Sequence, residues 1–315
     1  MILDPDAQTV LDMIKAAGRP AFDTLSPDEA RELFAGGRTV LQPDPPDVAQ
    51  VRDLAAPGPN GPVPLRLFRA IGSTDGAALP VLIFYHGGGW VLGDLDSYDP
   101  LCRAIANAAA CCVIAVDYRL APEVKFPGAI SDSAAATRWI LANTGELAID
   151  PARVAVGGDS AGGNIAAVIA LMARDAYLPK IAFQLLIYPV TDMGKGFASY
   201  QRVTTGFPLV ASTMTWFIDH YLRSAADVAD WRASPLRAAS LAGAAPALVL
   251  TCAHDPLCDE GVEYAARLDR DGVPVTHLHF NDQMHGFLNM GRIIRASATA
   301  IDMMAAALRR AWASG

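Results

Sequence analysis

The feature that most constrains this 315-residue chain is an apolar run, Val154 to Gly157, that breaks into Gly158-Asp159-Ser160-Ala161-Gly162 and then into a stretch of small residues with helical character. A strand that turns sharply into a helix needs neighbours too small to clash across the turn, and glycines stand two places before and two places after Ser160. Such a turn holds its central serine in a strained conformation with the hydroxyl exposed. Ser160 is therefore the leading candidate nucleophile, against the plain alternative of an ordinary tight turn.

The rest of the chain supplies a sheet for that strand. After about residue 80, β-branched apolar runs alternate with helical stretches, the pattern of crossover units that build a mostly parallel sheet. The expected strands are Val81 to Tyr85, Cys112 to Tyr118, Val154 to Gly157, Ile181 to Tyr188, Ala247 to Cys252 and Val275 to Phe280. Most are apolar on both faces, as suits central strands covered by helices on both sides. Pro64 to Ala70 reads as a shorter edge strand after the turn Ala56 to Pro62.

Ahead of it, Val10, Met13, Ile14 and Ala17 share one helical face, and Ser26-Pro27-Asp28-Glu29 is a capping box that opens a second helix. This segment, about 1–50, and a second interruption at about 191–232 are not needed to build the sheet. Both are expected to form a helical cap over it. The fold class is α/β, and residues 1–315 are read as a single domain in which body and cap fold together.

Composition narrows the function classes. A net charge of −8 without clustered Lys or Arg argues against nucleic acid as a partner. The longest uncharged stretches, Ala104 to Val116 and Ala161 to Ala173, fall short of the roughly 18 residues that a spanning helix requires. Asp4 and Asp6 stand where a signal peptide carries basic residues, so a cytoplasmic location is expected. Cys102, Cys111, Cys112, Cys252 and Cys258 form neither C-x-x-C pairs nor a disulfide framework and read as reduced, mostly buried thiols.

An activated serine needs a base, an acid to orient that base, and donors for an oxyanion. His86-Gly87-Gly88-Gly89-Trp90 follows the first strong strand, and its successive glycines let backbone N–H groups face a cavity, as an oxyanion hole or as an anion nest for a phosphate. The nest reading lacks both the P-loop and the dinucleotide fingerprint. His285 follows the last expected strand and is the candidate base, while His86 is better suited to holding the glycine loop. His277 and His279 share one strand face, where a metal pair would lack an obvious third ligand. Asp255 ends the run Leu248 to His254, after Ser160 and before His285 in the chain, and is the favoured acid; Asp259 competes as a helix cap, and Asp282 is a weaker rival. No metal or organic cofactor is required.

Four blocks, His86 to Trp90, Asp117 to Glu123, Gly158 to Asn164, and Asp255 to Gly261 with His285-Gly286-Phe287, carry a resemblance that spans most of the chain. The sequence resembles the hormone-sensitive-lipase family of microbial carboxylesterases, in the branch with a G-D-S-A-G motif and an α/β-hydrolase fold. The resemblance implies Ser160 as nucleophile, His285 as base, Asp255 as its orienting carboxylate, and backbone N–H groups of Gly87, Gly88 and Ala161 as the oxyanion hole. It also makes a homodimer plausible. Asp117 to Glu123 is read as structural, with Arg119 and Glu123 as a candidate pair, and Asp159 as a residue that holds the elbow through hydrogen bonds. Trp90, Phe207, Leu209, Trp216 and Phe217 offer apolar surface, and Trp90, Phe207 and Leu209 are the expected substrate contacts. The expected activity is hydrolysis of short- to medium-chain esters through an acyl-enzyme; lipase, amidase or acyltransferase activity on the same triad, or a receptor without catalysis, are the alternatives.

Overall fold

A computed structural model of the protein describes residues 2–74, 76–194 and 196–313, without the side chain of Arg38. Its strands are β1 (Gln50–Gly58), β2 (Gly61–Arg69), β3 (Leu79–Tyr85), β4 (Cys112–Val116), β5 (Ile149–Asp159), β6 (Phe183–Ile187), β7 (Ala247–His254) and β8 (Val275–Met284). They form one sheet in the order β1-β2-β4-β3-β5-β6-β7-β8. Pairing is antiparallel at β1/β2 and β2/β4 and parallel across the rest.

The helices are α1 (Pro5–Ala16), α2 (Pro27–Leu41), α3 (Leu95–Ala109), α4 (Gly128–Ala142), α5 (Ala161–Arg174), α6 (Ala198–Arg202), α7 (Ala211–Tyr221), α8 (Cys258–Arg270) and α9 (Ala296–Ala313). Alternate residues of the central strands enter different layers. Val81, Ile83 and Tyr85 pack with Ile140, Ile165 and Ile169 on one face. Leu82 and Phe84 pack with Leu101, Ile105 and Leu308 on the other. Each fully buried aliphatic side chain contributes roughly 1.5–3 kcal/mol, and the β1/β2 hairpin at the edge joins both layers through Leu65 and Leu67 on one face and Phe68 on the other.

That hairpin corrects the sequence reading. Pro64 to Arg69 belongs to β2, which is nine residues long and covered on its outer side by β1, the true edge strand, while Ala70 falls just past its end. The turn is confined to Pro59 and Asn60, between the paired Gly58 and Gly61. Along β1 only Ala56 is fully buried, and Val51 is 41% exposed, so the strand lacks the apolar alternation that would announce it.

The segment before β1 is tied to the body by polar contacts. Asp4 N–H donates to the Asp282 carbonyl at 2.9 Å, Asp6 pairs with Arg295 at 2.8 Å, and Arg31 of α2 forks onto Glu123 at 2.7 Å while reaching the Val91 and Ala121 carbonyls. Glu123 therefore pairs with Arg31 and not with Arg119, which binds the buried Asp132 of α4 at 2.7 Å. The segment between β6 and β7 is held at its root by α8: Glu260 accepts from Thr191 N–H and Tyr200 Oη, and Asp259 from Ser199 N–H and Arg202. Asp259 thus lies in the first turn of α8, where Leu257 occupies the cap position. No described helix is long and apolar enough to cross a membrane.

Candidate active site

Because β3, β5, β7 and β8 run parallel, the loops that follow them meet at one edge of the sheet. Ser160 sits between β5 and α5 with φ 56° and ψ −118°. A Cβ on Gly162 would lie 1.9 Å from the Tyr85 carbonyl oxygen, and one on Gly158 2.3 Å from the same atom, so the elbow is pressed against β3 where only glycine fits. Ser160 N–H donates to the Ile187 carbonyl at 2.8 Å, fixing the turn from the other side.

His285 Nε2 lies 3.0 Å from Ser160 Oγ, and His285 Nδ1 lies 2.7 Å from Asp255 Oδ2. Nδ1–H donates to the carboxylate, which leaves Nε2 with its lone pair toward the serine hydroxyl. Asp255 has no exposed side-chain surface, and its second oxygen accepts from Leu257 N–H at 2.8 Å. The His285 side chain is 11% exposed and rests against the Tyr188 ring, 4.5 Å between centroids.

The glycine loop requires a correction. Gly87 N–H donates to Asp159 Oδ1 at 2.8 Å, so it is not free for a substrate oxygen. Gly88 and Gly89 line the cavity above Ser160; Gly87 does not. Asp159 Oδ2 also accepts from Tyr98 Oη, and burial pushes this carboxyl up to about 6. His86 Nδ1 lies 2.8 Å from the Gly87 carbonyl oxygen, and burial lowers the ring to about 4, so it is neutral near pH 7 and Nδ1–H is the donor. In a trans peptide the C=O and N–H point opposite ways, so a bond that holds the Gly87 carbonyl aims Gly88 N–H away from the imidazole. Ala161 N–H, the first of α5, has no intrahelical acceptor.

The cavity has a volume of about 170 Å³. Phe22 and Phe34 close it from the segment before β1, Leu209 and Phe217 from the segment between β6 and β7, and Met290 from beyond β8. Of the three expected substrate contacts only Leu209 lines it. Trp90 is fully buried and stacks on Tyr221 at 4.4 Å and 5° between planes, while Phe207 packs on His254 at 5.4 Å. Trp216 packs edge-on against Phe217 behind the wall. Phe22, Phe34 and Met290 were not read from sequence; their only signal is an apolar side chain on segments outside the sheet.

His277 Nε2 and His279 Nδ1 both contact Thr251 Oγ1, at 2.8 and 2.7 Å, and among the described residues no group of three or more His, Cys, Asp or Glu could hold a metal ion. His220 packs on Trp216 at 4.4 Å. Asp282 contributes its backbone carbonyl to Asp4, and both ring nitrogens of His285 are engaged elsewhere, by Asp255 and Ser160. Cys258 is buried, which pushes its thiol up to about 12, far from a reactive thiolate.

Comparison with known proteins matches this architecture. Residues 82–289 fit the model of a family described as alpha/beta hydrolase fold. Carboxylic ester hydrolase LipN of Mycobacterium tuberculosis is 41% identical over 98% of this chain and 82% of its own length. The ethyl acetate hydrolase of Pseudomonas putida is 38% identical over 98% of this chain and 99% of its own. Among solved structures, a serine-to-alanine mutant of an alpha/beta hydrolase enzyme from the metagenome of Lake Arreo, Spain, matches with a TM-score of 0.94 at 40% identity, covering 98% of both chains. A thermostable esterase from Pseudomonas putida matches with a TM-score of 0.94 at 35% identity, again over 98% of both. Sequence, sheet topology and near full-length relatives agree, and the chain belongs to the alpha/beta hydrolase family, in its hormone-sensitive-lipase-type branch.

Proposed function

We propose that the protein is a serine carboxylesterase that hydrolyses short- to medium-chain esters through an acyl-enzyme. The observation that carries this reading is the closed relay from Ser160 Oγ through His285 to Asp255, at 3.0 and 2.7 Å, on the wall of an apolar cavity. His285 Nε2 takes the serine proton as Oγ attacks the ester carbonyl. The carbonyl oxygen becomes an oxyanion received by the N–H groups of Gly88, Gly89 and Ala161, the set left once Gly87 is committed to Asp159. Protonated His285, oriented by Asp255, gives its proton to the departing alkoxide. A water then enters, loses a proton to the same histidine, and releases the acid. Each oxyanion donor is worth about 3–4 kcal/mol of barrier.

The names of the relatives, carboxylic ester hydrolase and ethyl acetate hydrolase among them, support the same reaction class. The segments before β1 and between β6 and β7 act as a cap over the cavity, since both contribute lining residues. An apolar cavity of about 150 Å³ holds a benzene ring, so this one accommodates an acyl chain of about six carbons before the chain must leave it. Five buried free cysteines suit a reducing compartment, the cytoplasm.

A p-nitrophenyl ester series from acetate to palmitate, run with the native enzyme and Ser160→Ala, tests the proposal. We expect kcat/KM to peak at about four to six carbons, to fall at least about tenfold by palmitate, and to vanish in the mutant. Equal rates in both proteins would remove Ser160 as nucleophile, and a maximum at palmitate would make the protein a lipase.

A further inference from the structure

The glycine loop has a backbone that its own sequence does not explain. Gly88, Gly89 and Trp90 are three consecutive residues at positive φ, 109°, 60° and 61°. Glycine accepts this region freely, but a tryptophan there is strained and persists only where its surroundings over-determine it. Trp90 is fully buried, and its carbonyl accepts from Ala121 N–H at 2.8 Å. Its indole lies flat on the Tyr221 ring, 4.4 Å between centroids and 5° between planes. Tyr221 is held in turn by Phe126, whose ring meets it edge-on at 5.8 Å and whose N–H donates to the Tyr221 carbonyl at 2.8 Å.

Phe217 stands one helical turn before Tyr221 on α7. Its ring occupies the place where a Cβ on Gly89 would stand, with a ring carbon 2.2 Å from that point. Residues 217 and 221 of one helix therefore press on consecutive residues 89 and 90 of the loop. Among the described residues, Trp90 Nε1 and the Tyr221 hydroxyl are buried and have no protein hydrogen-bond partner. No protein hydrogen bond orients either ring, so stacking and shape hold them against each other.

We propose that Tyr221 is a positioning residue for the oxyanion hole: by stacking on Trp90 it locks the left-handed Gly88-Gly89-Trp90 backbone, so that the inserted segment between β6 and β7 completes the hole from above while Asp159 and His86 fix it from below. The proposal rests on the serine esterase reading of the site. It makes α7 part of the machinery that sets the turnover rate, beyond its service as a wall of the cavity. It also accounts for a tryptophan beside the glycines that touches no substrate space.

The test compares native enzyme, Tyr221→Leu, Tyr221→Phe and Ser160→Ala for kcat and KM on p-nitrophenyl butyrate, for inhibition by an alkyl trifluoromethyl ketone, and for thermal midpoint. The ketone is captured by the serine as a tetrahedral adduct whose oxyanion needs the same donors. For Tyr221→Leu we expect kcat to fall about tenfold to a hundredfold with KM within about threefold, and ketone affinity to fall in parallel. Tyr221→Phe keeps the ring and should restore both. A folded Tyr221→Leu with kcat within about twofold of native, or with a loss confined to KM and ketone affinity intact, would overturn the proposal. If the leucine variant does not fold, Tyr221→Met, which keeps volume without a ring, takes its place. Activity surviving in Ser160→Ala would instead overturn the esterase reading, whatever the tyrosine variants do.

Discussion

His86 is a titratable ring sealed between Tyr98 and Tyr118 under the glycine loop, and it takes no part in the proposed chemistry. Its value of about 4, against an ordinary 6.5, comes chiefly from burial, and the sign of the resulting pH effect follows directly. Above pH 6.5 the ring is neutral in folded and unfolded chains and contributes no pH dependence. As pH falls from 6.5 toward 4, the unfolded chain takes a proton that the folded chain refuses, so stability drops by about 1.4 kcal/mol per unit, to a total of about 3 kcal/mol. Denaturant unfolding of native protein and His86→Gln should therefore give stabilities whose difference shifts against the native protein by up to about 3 kcal/mol between pH 7 and pH 4. Parallel curves would mean that the ring gains its proton in the fold.

At this scale the sequence is informative where strand ends dictate position. Ser160, Asp255 and His285 each follow a strand in the parallel part of one sheet, and the structure brings them within hydrogen-bond distance. It is uninformative where a partner must be known: nothing in the order of residues says that Asp159 takes the Gly87 N–H, or that Tyr221 turns Trp90 away from the cavity.

Among the elements, α8 links the Asp255 loop to the segment between β6 and β7. Glu260, with no exposed surface, accepts from Thr191 N–H at 2.7 Å and from Tyr200 Oη at 3.1 Å, and Thr191 Oγ1 returns a bond to its carbonyl. Burial pushes this carboxyl well above the usual carboxylate range, so glutamine, which copies the protonated shape, is the conservative replacement. Glu260→Ala should lower unfolding stability by about 2–4 kcal/mol, because the Thr191 and Asp192 N–H groups and the Tyr200 hydroxyl lose their acceptor and a cavity opens; Glu260→Gln should lose less than half as much. Equal losses in chemical denaturation would show that the charge, and not the shape, makes the bond. The central strands are legible because both their faces are buried and so written in Val, Ile and Leu. The strand β1 is illegible for the opposite reason, since a strand with almost no buried face leaves composition free. Pairing partners such as Arg31 with Glu123 join segments 92 residues apart, and no local pattern encodes them.

For the whole molecule, the parallel sheet is the device that gathers chemistry from across the chain: His86 and Asp255 are distant in sequence, yet their loops open at one edge beneath two inserted segments. The order of blocks along the sequence carries that much, which is why fold class and family are readable before any coordinate. The shape of the cavity is not, because its walls come from Phe22, Phe34, Leu209, Phe217 and Met290, residues whose neighbours are set only when the two segments dock. The central claim is that one serine, activated by His285, forms a covalent intermediate. It is tested most directly by treating the native enzyme with a p-nitrophenyl alkylphosphonate, in which Oγ displaces p-nitrophenolate from phosphorus, and locating the adduct by peptide mass spectrometry. The account predicts one adduct, on the peptide carrying Ser160, formed with stoichiometric loss of esterase activity and absent from Ser160→Ala. Full inactivation with the adduct on any other residue, or ester hydrolysis that survives complete labelling of Ser160, would contradict it.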